Sequence, residues 1–242
     1  MSESEQIKRR YAERAHRQCD ALYDPLVAYN VLVRQEKERA VVRCINRFRL
    51  PPVGSKTVLE VGCGGGGNLV ELCRLGFSPA NLTGVELLED RARQARTRLP
   101  GEVNIITGDA TRVTLGPAGF DLVLQSTVFT SILDPDTRRQ LAQRMWDWVA
   151  PGGGVMWYDF IYDNPKNRDV RGIGVAEIRA LFPAGEISFE RVTLAPPIGR
   201  RVTRLHPWFY HGCNVIPLLR THVLCWIRKA APIPGPASPL ET

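Results

Sequence analysis

A run of glycines follows a short apolar stretch of the chain and precedes a stretch with helical spacing. The apolar residues are 57–61, the helical pattern resumes at Leu69, and between them stand Gly62, Gly64, Gly65, Gly66 and Gly67. Glycine reaches positive φ readily and lets the backbone approach a ligand closely, because it has no Cβ. A helix that starts directly after the turn offers free N–H groups at its N-terminus. Strand, glycine turn and helix in this order predict a binding site for a nucleoside-containing cofactor.

An acidic residue stands where such a cofactor would need one. Glu86 lies near the end of a second apolar run, 82–87, at about the twenty-residue spacing expected after the glycines. A carboxylate there can accept hydrogen bonds from both hydroxyls of a ribose. The glycines satisfy G-x-G-x-x-G and G-x-G-x-G at once, so by themselves they leave a dinucleotide and S-adenosylmethionine open as ligands.

Five short motifs in a fixed order narrow this choice. They are E-V-G-C-G at 60–64, V-E-L at 85–87, G-D-A at 108–110, F-D-L-V at 120–123 and P-G-G at 151–153. With this set the chain resembles the class I S-adenosylmethionine-dependent methyltransferases over roughly residues 57–160. The resemblance implies S-adenosylmethionine as cofactor and S-adenosylhomocysteine as product. It also implies an α/β fold: a Rossmann-like, doubly wound seven-stranded sheet, mostly parallel with the last strand antiparallel, and an N-terminal helical lid.

Apolar runs and turn residues divide the chain into three regions. Residues 1–50 are predicted to form the helical lid, and residues 51–230 the Rossmann-like methyltransferase domain, in which an insertion at 195–221 caps the acceptor. The proline-rich residues 231–242 predict a disordered tail. The predicted strands are 57–61, 82–87, 103–107, 120–128, 155–160, 187–194 and 222–229.

The cofactor-binding residues are predicted from the glycine turn, the ends of the next strands and the lid. The resemblance assigns Asp109 to the adenine amino group, with the Ala110 backbone beside it; capping a short helix is the alternative role of Asp109. From the lid, Arg34 could pair with the carboxylate of the methionine moiety. The full predicted set is Tyr11, Tyr29, Arg34, Glu60, Gly62, Cys63, Gly64, Gly66, Asn68, Glu86, Leu87, Asp109, Ala110, Gln125, Ser126 and Phe129.

The candidates for catalysis follow from the chemistry of methyl transfer, an in-line displacement in which the protein mainly positions the nucleophile. An alcohol acceptor must also lose its proton to a carboxylate or an imidazole. The candidate bases are Asp159, His206 and His211, and Asp159 is favoured because it stands at the end of the fifth strand. Residues predicted to bind the acceptor, including arginines suited to a phosphate or carboxylate, are Tyr158, Tyr162, Arg168, Arg171 and Arg201. No metal is predicted, because the histidines and Cys213 match no standard zinc spacing.

Charge is spread unevenly over the 242 residues, whose formal net charge is +7. Residues 1–56 carry +5, residues 57–160 carry −3 and residues 161–242 carry +5. The basic flanks could meet an acidic acceptor or an anionic surface, or they are solvated faces rich in arginine. Six cysteines without C-x-x-C pairs indicate reduced thiols. With no apolar stretch that suits a signal peptide or a membrane span, a cytoplasmic protein is predicted.

These observations favour a methyltransferase that acts on a small molecule. The predicted acceptor is an oxygen of a biosynthetic intermediate related to natural products or glycans, and this intermediate could be acidic. The stretches QSTVFTSILDP and WYDFIYDNPKNRDVRGIG resemble a bacterial subgroup among enzymes of surface-glycan and natural-product biosynthesis. Alternatives are transfer to carbon or nitrogen, an RNA methyltransferase, and a dinucleotide-dependent oxidoreductase or binding module. Amino methyltransferases that act on bases carry N-P-P-[YF] or D-P-P-[YF] after the fourth strand, where this chain reads Q-S-T-V at 125–128. No nucleic-acid partner is therefore expected, and the protein is expected to be a monomer or a homodimer.

Overall fold

One seven-stranded sheet forms the centre of the protein. The structure is a computed structural model that describes residues 2–16, 24–50, 52–165 and 167–231. The strands are β1 Val58–Val61, β2 Leu82–Glu86, β3 Asn104–Thr107, β4 Phe120–Ser126, β5 Val149–Phe160, β6 Glu186–Leu194 and β7 Arg220–Arg228. They lie in the order β3-β2-β1-β4-β5-β7-β6, and β7 runs antiparallel to both neighbours. The predicted doubly wound, mostly parallel sheet with an antiparallel last strand is thereby confirmed.

Helices surround this sheet, and five of them cover its two faces. The helices are α1 Glu3–His16, α2 Ala28–Arg47, α3 Gly67–Arg74, α4 Glu89–Arg98, α5 Pro135–Trp148, α6 Val175–Leu181, α7 Pro196–Leu205 and α8 Trp208–Asn214. One apolar layer joins the sheet to α2, α3 and α4, and the other joins it to α5 and α6. Because both faces are covered, all four residues of β1 are buried, so its residues do not alternate between polar and apolar, and Glu60 is the one charged residue among them.

Strand β5 is longer than the sequence predicts. The P-G-G motif was expected to form a turn before a strand at 155–160, but the strand already begins at Val149, which pairs with Phe120. After an irregularity, Gly154 pairs with Leu122. A Cβ on Gly153 would stand 2.5 Å from the Asp121 carbonyl oxygen, so the backbones approach here in a way that only glycine allows.

The two N-terminal helices differ in their surroundings. Helix α2 belongs to the main core, where Ala40, Cys44 and Ile45 are buried against the sheet. Helix α1 instead lies over the carboxyl ends of the strands, and it is the part of the predicted lid that borders the cavity among the residues described. None of the helices in the described ranges is long and apolar enough to cross a membrane.

The insertion at 195–221 contains helices α7 and α8, and one buried carboxylate of α2 holds α8 and the end of β6. Glu36 accepts hydrogen bonds from the Thr193 N–H (3.0 Å), the Asn214 side-chain amide (2.8 Å) and the Tyr210 hydroxyl. Glu36 is only 7% exposed. The predicted tail falls almost entirely outside the described residues, which end at 231.

Candidate cofactor and acceptor site

A cavity lies at the carboxyl ends of β1, β2, β3 and β4, below α1. In doubly wound sheets this edge is where ligands bind, at the point where the strand order reverses. Here that point lies between β1 and β4. The residues predicted for the cofactor that border the cavity are Tyr11, Gly62, Glu86, Leu87, Asp109, Ala110 and Ser126.

The glycine loop follows β1 with three residues at positive φ. The φ angles are +68° for Gly62, +55° for Gly64 and +79° for Gly66. Gly66 is the N-cap of α3. A Cβ on Gly62 would stand 2.5 Å from Val128 Cγ2, so the loop passes directly against the end of β4. At Gly62, which borders the cavity, the loop therefore leaves no room for a side chain.

Gly62→Ala is expected to lower both stability and affinity for S-adenosylhomocysteine. The left-handed backbone costs a non-glycine residue roughly 1–2 kcal/mol, and the added methyl group must displace Val128. Thermal melts and calorimetric titration measure the two effects. Gly67→Ala is the matched control, because Gly67 lacks a positive φ and a Cβ there meets nothing within 4 Å. Equal behaviour of the two variants would contradict the role given to Gly62.

Glu86 connects the glycine loop to the end of β2. Its Oε2 accepts a hydrogen bond from the Gly64 N–H (2.8 Å) and its Oε1 accepts one from the Leu88 N–H (2.9 Å). A carboxylate has about four acceptor positions, so two remain for a ligand that enters the cavity. The residue thus fits the predicted contact with two ribose hydroxyls, and it also holds the loop in shape.

Asp109 borders the cavity and also caps a turn. Its Oδ1 accepts hydrogen bonds from the Thr111 N–H (2.9 Å) and the Thr111 hydroxyl (2.7 Å), and the Ser4 hydroxyl of α1 donates to Oδ2. Burial alone would raise the pKa of Asp109, but these hydrogen bonds outweigh it and hold the pKa below its usual range. Both roles weighed for this residue, the cap and the ligand contact, are compatible with this geometry.

Several predicted cofactor residues do not border the cavity. Gln125 is fully buried and its Oε1 accepts a hydrogen bond from the Val128 N–H (3.1 Å). Phe129 is fully buried against Trp157, at 4.4 Å between ring centroids. These side chains shape the turn after β4. Outside the predicted lid, the other predicted residues that do not border the cavity are Glu60, Cys63, Gly64, Gly66 and Asn68.

Two lid residues are placed elsewhere by the structure. The Tyr29 hydroxyl donates to the Leu194 carbonyl (2.9 Å), and its ring packs against Tyr210 of the insertion. Arg34 is exposed on α2 and does not border the cavity. The expectation that both face the cofactor is thus corrected: Tyr29 is an apolar anchor for the insertion, and Lys37, one helical turn beyond Arg34, is the cation of α2 that turns inward.

Lys37 occupies a polar site next to the cofactor cavity. Its Nζ donates to Asn68 Oδ1 (2.9 Å) and to Ser126 Oγ (2.8 Å), and it lies 4.4 Å from the centroid of the Tyr158 ring. Within the described ranges, no carboxylate forms an ion pair with this ammonium group. Burial holds the pKa of Lys37 below its usual range, although the nearby charges of Glu60 and Asp159 oppose this effect.

The rest of this site comes from β5 and β7. The Tyr158 hydroxyl and Thr193 Oγ1 are 2.8 Å apart, and the His222 ring stacks on Tyr158 at 5.1 Å between centroids. Burial lowers the pKa of His222 to about 4, so its imidazole is neutral at pH 7. The group Lys37, Ser126, Tyr158 and His222 is called the Lys37 site below. Of its members, sequence reasoning missed Lys37 and His222; a lysine next to the buried positions of an amphipathic helix was the one available signal.

The predicted base Asp159 does not reach this site. Along β5, Tyr158 faces the layer of α2, whereas Asp159 faces the opposite layer and is fully buried. It accepts hydrogen bonds from the Thr130 hydroxyl (2.7 Å) and the Phe160 N–H (3.1 Å). Burial raises the pKa of Asp159 to about 7. The carboxyl group therefore holds the turn after β4 in place, and its assignment as a base at the mouth of the strand is corrected.

The histidines and arginines predicted for catalysis and acceptor binding are scattered over the surface. His206 and His211 are exposed on the insertion, and neither borders the cavity. Arg171 pairs with Glu177 of α6. Exposed side chains that lie on different parts of the chain are Tyr162, Arg168 and Arg201. The predicted arginine pocket is thus not assembled in this structure.

Comparison with known proteins agrees with this geometry. Residues 58–153 match the family model described as a methyltransferase domain. The trans-aconitate 2-methyltransferase of Afipia carboxidovorans is 27% identical over 180 residues, which are 69% of this chain and 66% of that protein. The phthiotriol/phenolphthiotriol dimycocerosates methyltransferase of Mycobacterium tuberculosis is 33% identical over 58% of this chain and 52% of its own length. The ubiquinone biosynthesis O-methyltransferase of Pseudomonas entomophila is 28% identical over 71% of this chain and 74% of its own length. The chain thus spans just under two thirds of the first of these proteins and about half of the second.

Solved structures share the fold at low sequence identity. The 1,6-didemethyltoxoflavin-N1-methyltransferase of Burkholderia thailandensis, solved with S-adenosylhomocysteine bound, superposes with a TM-score of 0.63 over 93% of this chain and 87% of its own, at 16% identity. A possible histamine N-methyltransferase of Thermotoga maritima gives a TM-score of 0.59 over 93% of this chain and 99% of its own, at 17% identity. The matched family region contains the glycine loop, Glu86 and Asp109, which are the residues that build the cavity. Residues 58–153 thus form a methyltransferase domain, and this domain together with the shared fold supports S-adenosylmethionine as the cofactor.

Proposed function

We propose that this chain transfers the methyl group of S-adenosylmethionine to an oxygen of a small acidic molecule, which binds beside the cofactor at the Lys37 site. The observation that carries this proposal is the Lys37 ammonium group, whose hydrogen-bond partners Asn68 and Ser126 are both neutral. Ser126 also borders the cofactor cavity, so the two sites adjoin.

The position of the Lys37 site supports an acceptor and not the cofactor as its ligand. The adenosine half of the cofactor belongs with Glu86 and Asp109, at the ends of β2 and β3. The Lys37 site lies over the ends of β4, β5 and β7, on the other side of β1. A molecule placed there faces the methyl donor across Ser126.

The charge balance supports an anionic ligand. A buried ammonium group is costly unless a counter-charge accompanies it. Glu60 and Asp159 offset this cost only in part, because burial raises the pKa of both carboxyl groups, to about 7 for Asp159. An incoming carboxylate or phenolate would therefore provide a counter-charge for the Lys37 ammonium group.

The names of two of the curated relatives agree with an oxygen acceptor. One is named for trans-aconitate, a carboxylate, and another for O-methyl transfer in ubiquinone biosynthesis. Bound S-adenosylmethionine supplies an electrophilic methyl group on a sulfonium. Lys37 would hold the acceptor oxygen ionised and aimed at that group, and neutral His222 could accept a hydrogen bond from the acceptor. An acidic oxygen needs no general base, which suits the buried position of Asp159.

The acceptor class can be tested with methyl-labelled S-adenosylmethionine and matched sets of carboxylic acids, phenols, amines and RNA. Label is expected in the carboxylic acids or phenols, as an ester or an ether. Label only in amines or in RNA would overturn the proposed acceptor class while leaving the methyltransferase assignment in place.

We further propose that α1 is the lid over the cofactor. Arg10 donates to the Ser131 carbonyl (2.9 Å) and pairs with Glu3 (2.8 Å), and Glu3 accepts a hydrogen bond from the Leu133 N–H (2.9 Å). These contacts fasten α1 to the turn after β4, and Ser4 fastens it to Asp109. Release of the product then requires that they break.

Arg10→Ala is expected to speed dissociation of S-adenosylhomocysteine by roughly tenfold, because hydrogen bonds to charged groups contribute about 1.5–3 kcal/mol each. Stopped-flow measurement of product release tests this. Arg9→Ala is the control, since the Arg9 side chain is 62% exposed and its ion pair is with Glu13 of the same helix. An unchanged release rate in Arg10→Ala would argue against a lid, and so would an equal increase in Arg9→Ala.

A further inference from the structure

The insertion exposes a concentrated apolar surface. Ten large apolar side chains are exposed in the described part of the chain, and six of them fall within residues 205–218. The exposed fractions reach 79% for Leu205, 66% for Trp208 and 77% for Leu218. The apolar face is defined here as Leu205, Trp208, Phe209, Val215, Ile216 and Leu218. Such a concentration on a folded protein indicates an interaction surface.

The apolar face is held firmly from below. Tyr210 is fully buried, and both Tyr210 and Asn214 hydrogen-bond to the buried Glu36 of α2. The Arg220 guanidinium donates to the carbonyls of Asn214 (2.8 Å) and Arg191 (3.0 Å). The exposed side chains therefore belong to an anchored element and not to a loose loop.

The surroundings of the apolar face are basic. The insertion at 195–221, which carries this face, contains no Asp or Glu but four arginines. Arg201 and Arg204 are exposed on α7, next to Leu205. Exposed Trp, Phe and Leu side chains beside arginines are typical of protein surfaces that insert into the interface of an anionic bilayer.

We propose that α7, α8 and the apolar face dock this protein on an anionic membrane surface. The apolar side chains would enter the boundary between headgroups and acyl chains, and Arg201 and Arg204 would lie among the anionic headgroups. A second copy of the chain is disfavoured as the partner, because the two basic surfaces would repel each other. Leu205, Val215 and Leu218 would also gain little from the phosphate backbone of a nucleic acid, whose binding depends mainly on charge. This inference does not depend on the identity of the acceptor.

The test is co-sedimentation of the full chain with vesicles of phosphatidylcholine alone or mixed with phosphatidylglycerol. Binding is expected to the mixed vesicles only, and to weaken with salt. Arg201→Gln combined with Arg204→Gln should weaken binding about thirtyfold, from the usual effect of two basic residues near such a surface. Arg93→Gln is the charge control, because its side chain is 70% exposed on the distant α4.

Serine replacements test the apolar contribution. Trp208→Ser, Val215→Ser and Leu218→Ser together should abolish sedimentation with unchanged thermal stability, since all three side chains are exposed. Leu26→Ser with Phe189→Ser, which changes exposed apolar residues elsewhere, should have no effect. Brominated lipids should quench Trp208 fluorescence, and Trp208→Phe should remove that quenching. Equal binding to neutral vesicles, an equal loss in the control, or binding to RNA or to a second copy in place of the mixed vesicles would overturn the proposal.

Discussion

Replacing Glu86 with alanine is expected to weaken binding of S-adenosylhomocysteine by roughly a hundredfold, from the loss of two charge-assisted hydrogen bonds to the ribose. The change also removes the acceptor of the Gly64 and Leu88 N–H groups, so the glycine loop loses its connection to the end of β2. Calorimetric titration with S-adenosylhomocysteine gives the affinity directly.

Two further variants serve as comparisons for Glu86→Ala. Glu86→Gln keeps one carbonyl acceptor, so its loss of affinity should be intermediate. Asp90→Ala removes a carboxylate nearby that is 95% exposed, and it should bind as the wild type does. Wild-type affinity in Glu86→Ala would remove the central assignment of the cofactor site.

Replacing Lys37 with methionine is expected to lower kcat/KM for the acceptor by roughly a hundredfold, because a charge-assisted contact in a partly dry site is lost. Affinity for S-adenosylhomocysteine should stay the same. Arg39→Met is the matched control, as Arg39 is exposed on the same helix. A variant that loses S-adenosylhomocysteine affinity while the acceptor KM is unchanged would assign Lys37 to the methionine carboxylate instead.

The pH dependence distinguishes an anion-binding lysine from a lysine that acts as a base. Burial lowers the pKa of Lys37, so the ammonium group is lost at a pH below the ordinary lysine value of about 10.4. If the charge holds an anionic acceptor, kcat/KM, which reports the free enzyme, falls as the pH rises through that lowered pKa. A lysine base would make kcat/KM rise over the same range. Lys37→Arg should remove the alkaline fall, because a guanidinium stays charged.

The cofactor half of the site could be predicted from the sequence because its determinants are local. Gly62 and Glu86 each stand at the end of an apolar run, and parallel strands bring their carboxyl ends to one edge of the sheet. The predicted contacts of Asp109 follow from the same rule for the next strand. The glycines and the acidic residue can be recognised from the few residues around them. The cofactor loop could therefore be predicted without knowledge of any tertiary contact.

The acceptor half was decided by tertiary structure. Both faces of the sheet are covered, so β5 shows no alternation of polar and apolar residues to tell which face Tyr158 and Asp159 take. The rotation of α2 about its axis determines that Lys37, and not Arg34, turns inward. His222 joins Tyr158 only because β7 pairs with β5 across more than sixty residues of chain. The sequence by itself thus determined the fold class and the cofactor loop, whereas the packing of α2 and the antiparallel return of β7 decided which cation and which ring face the acceptor.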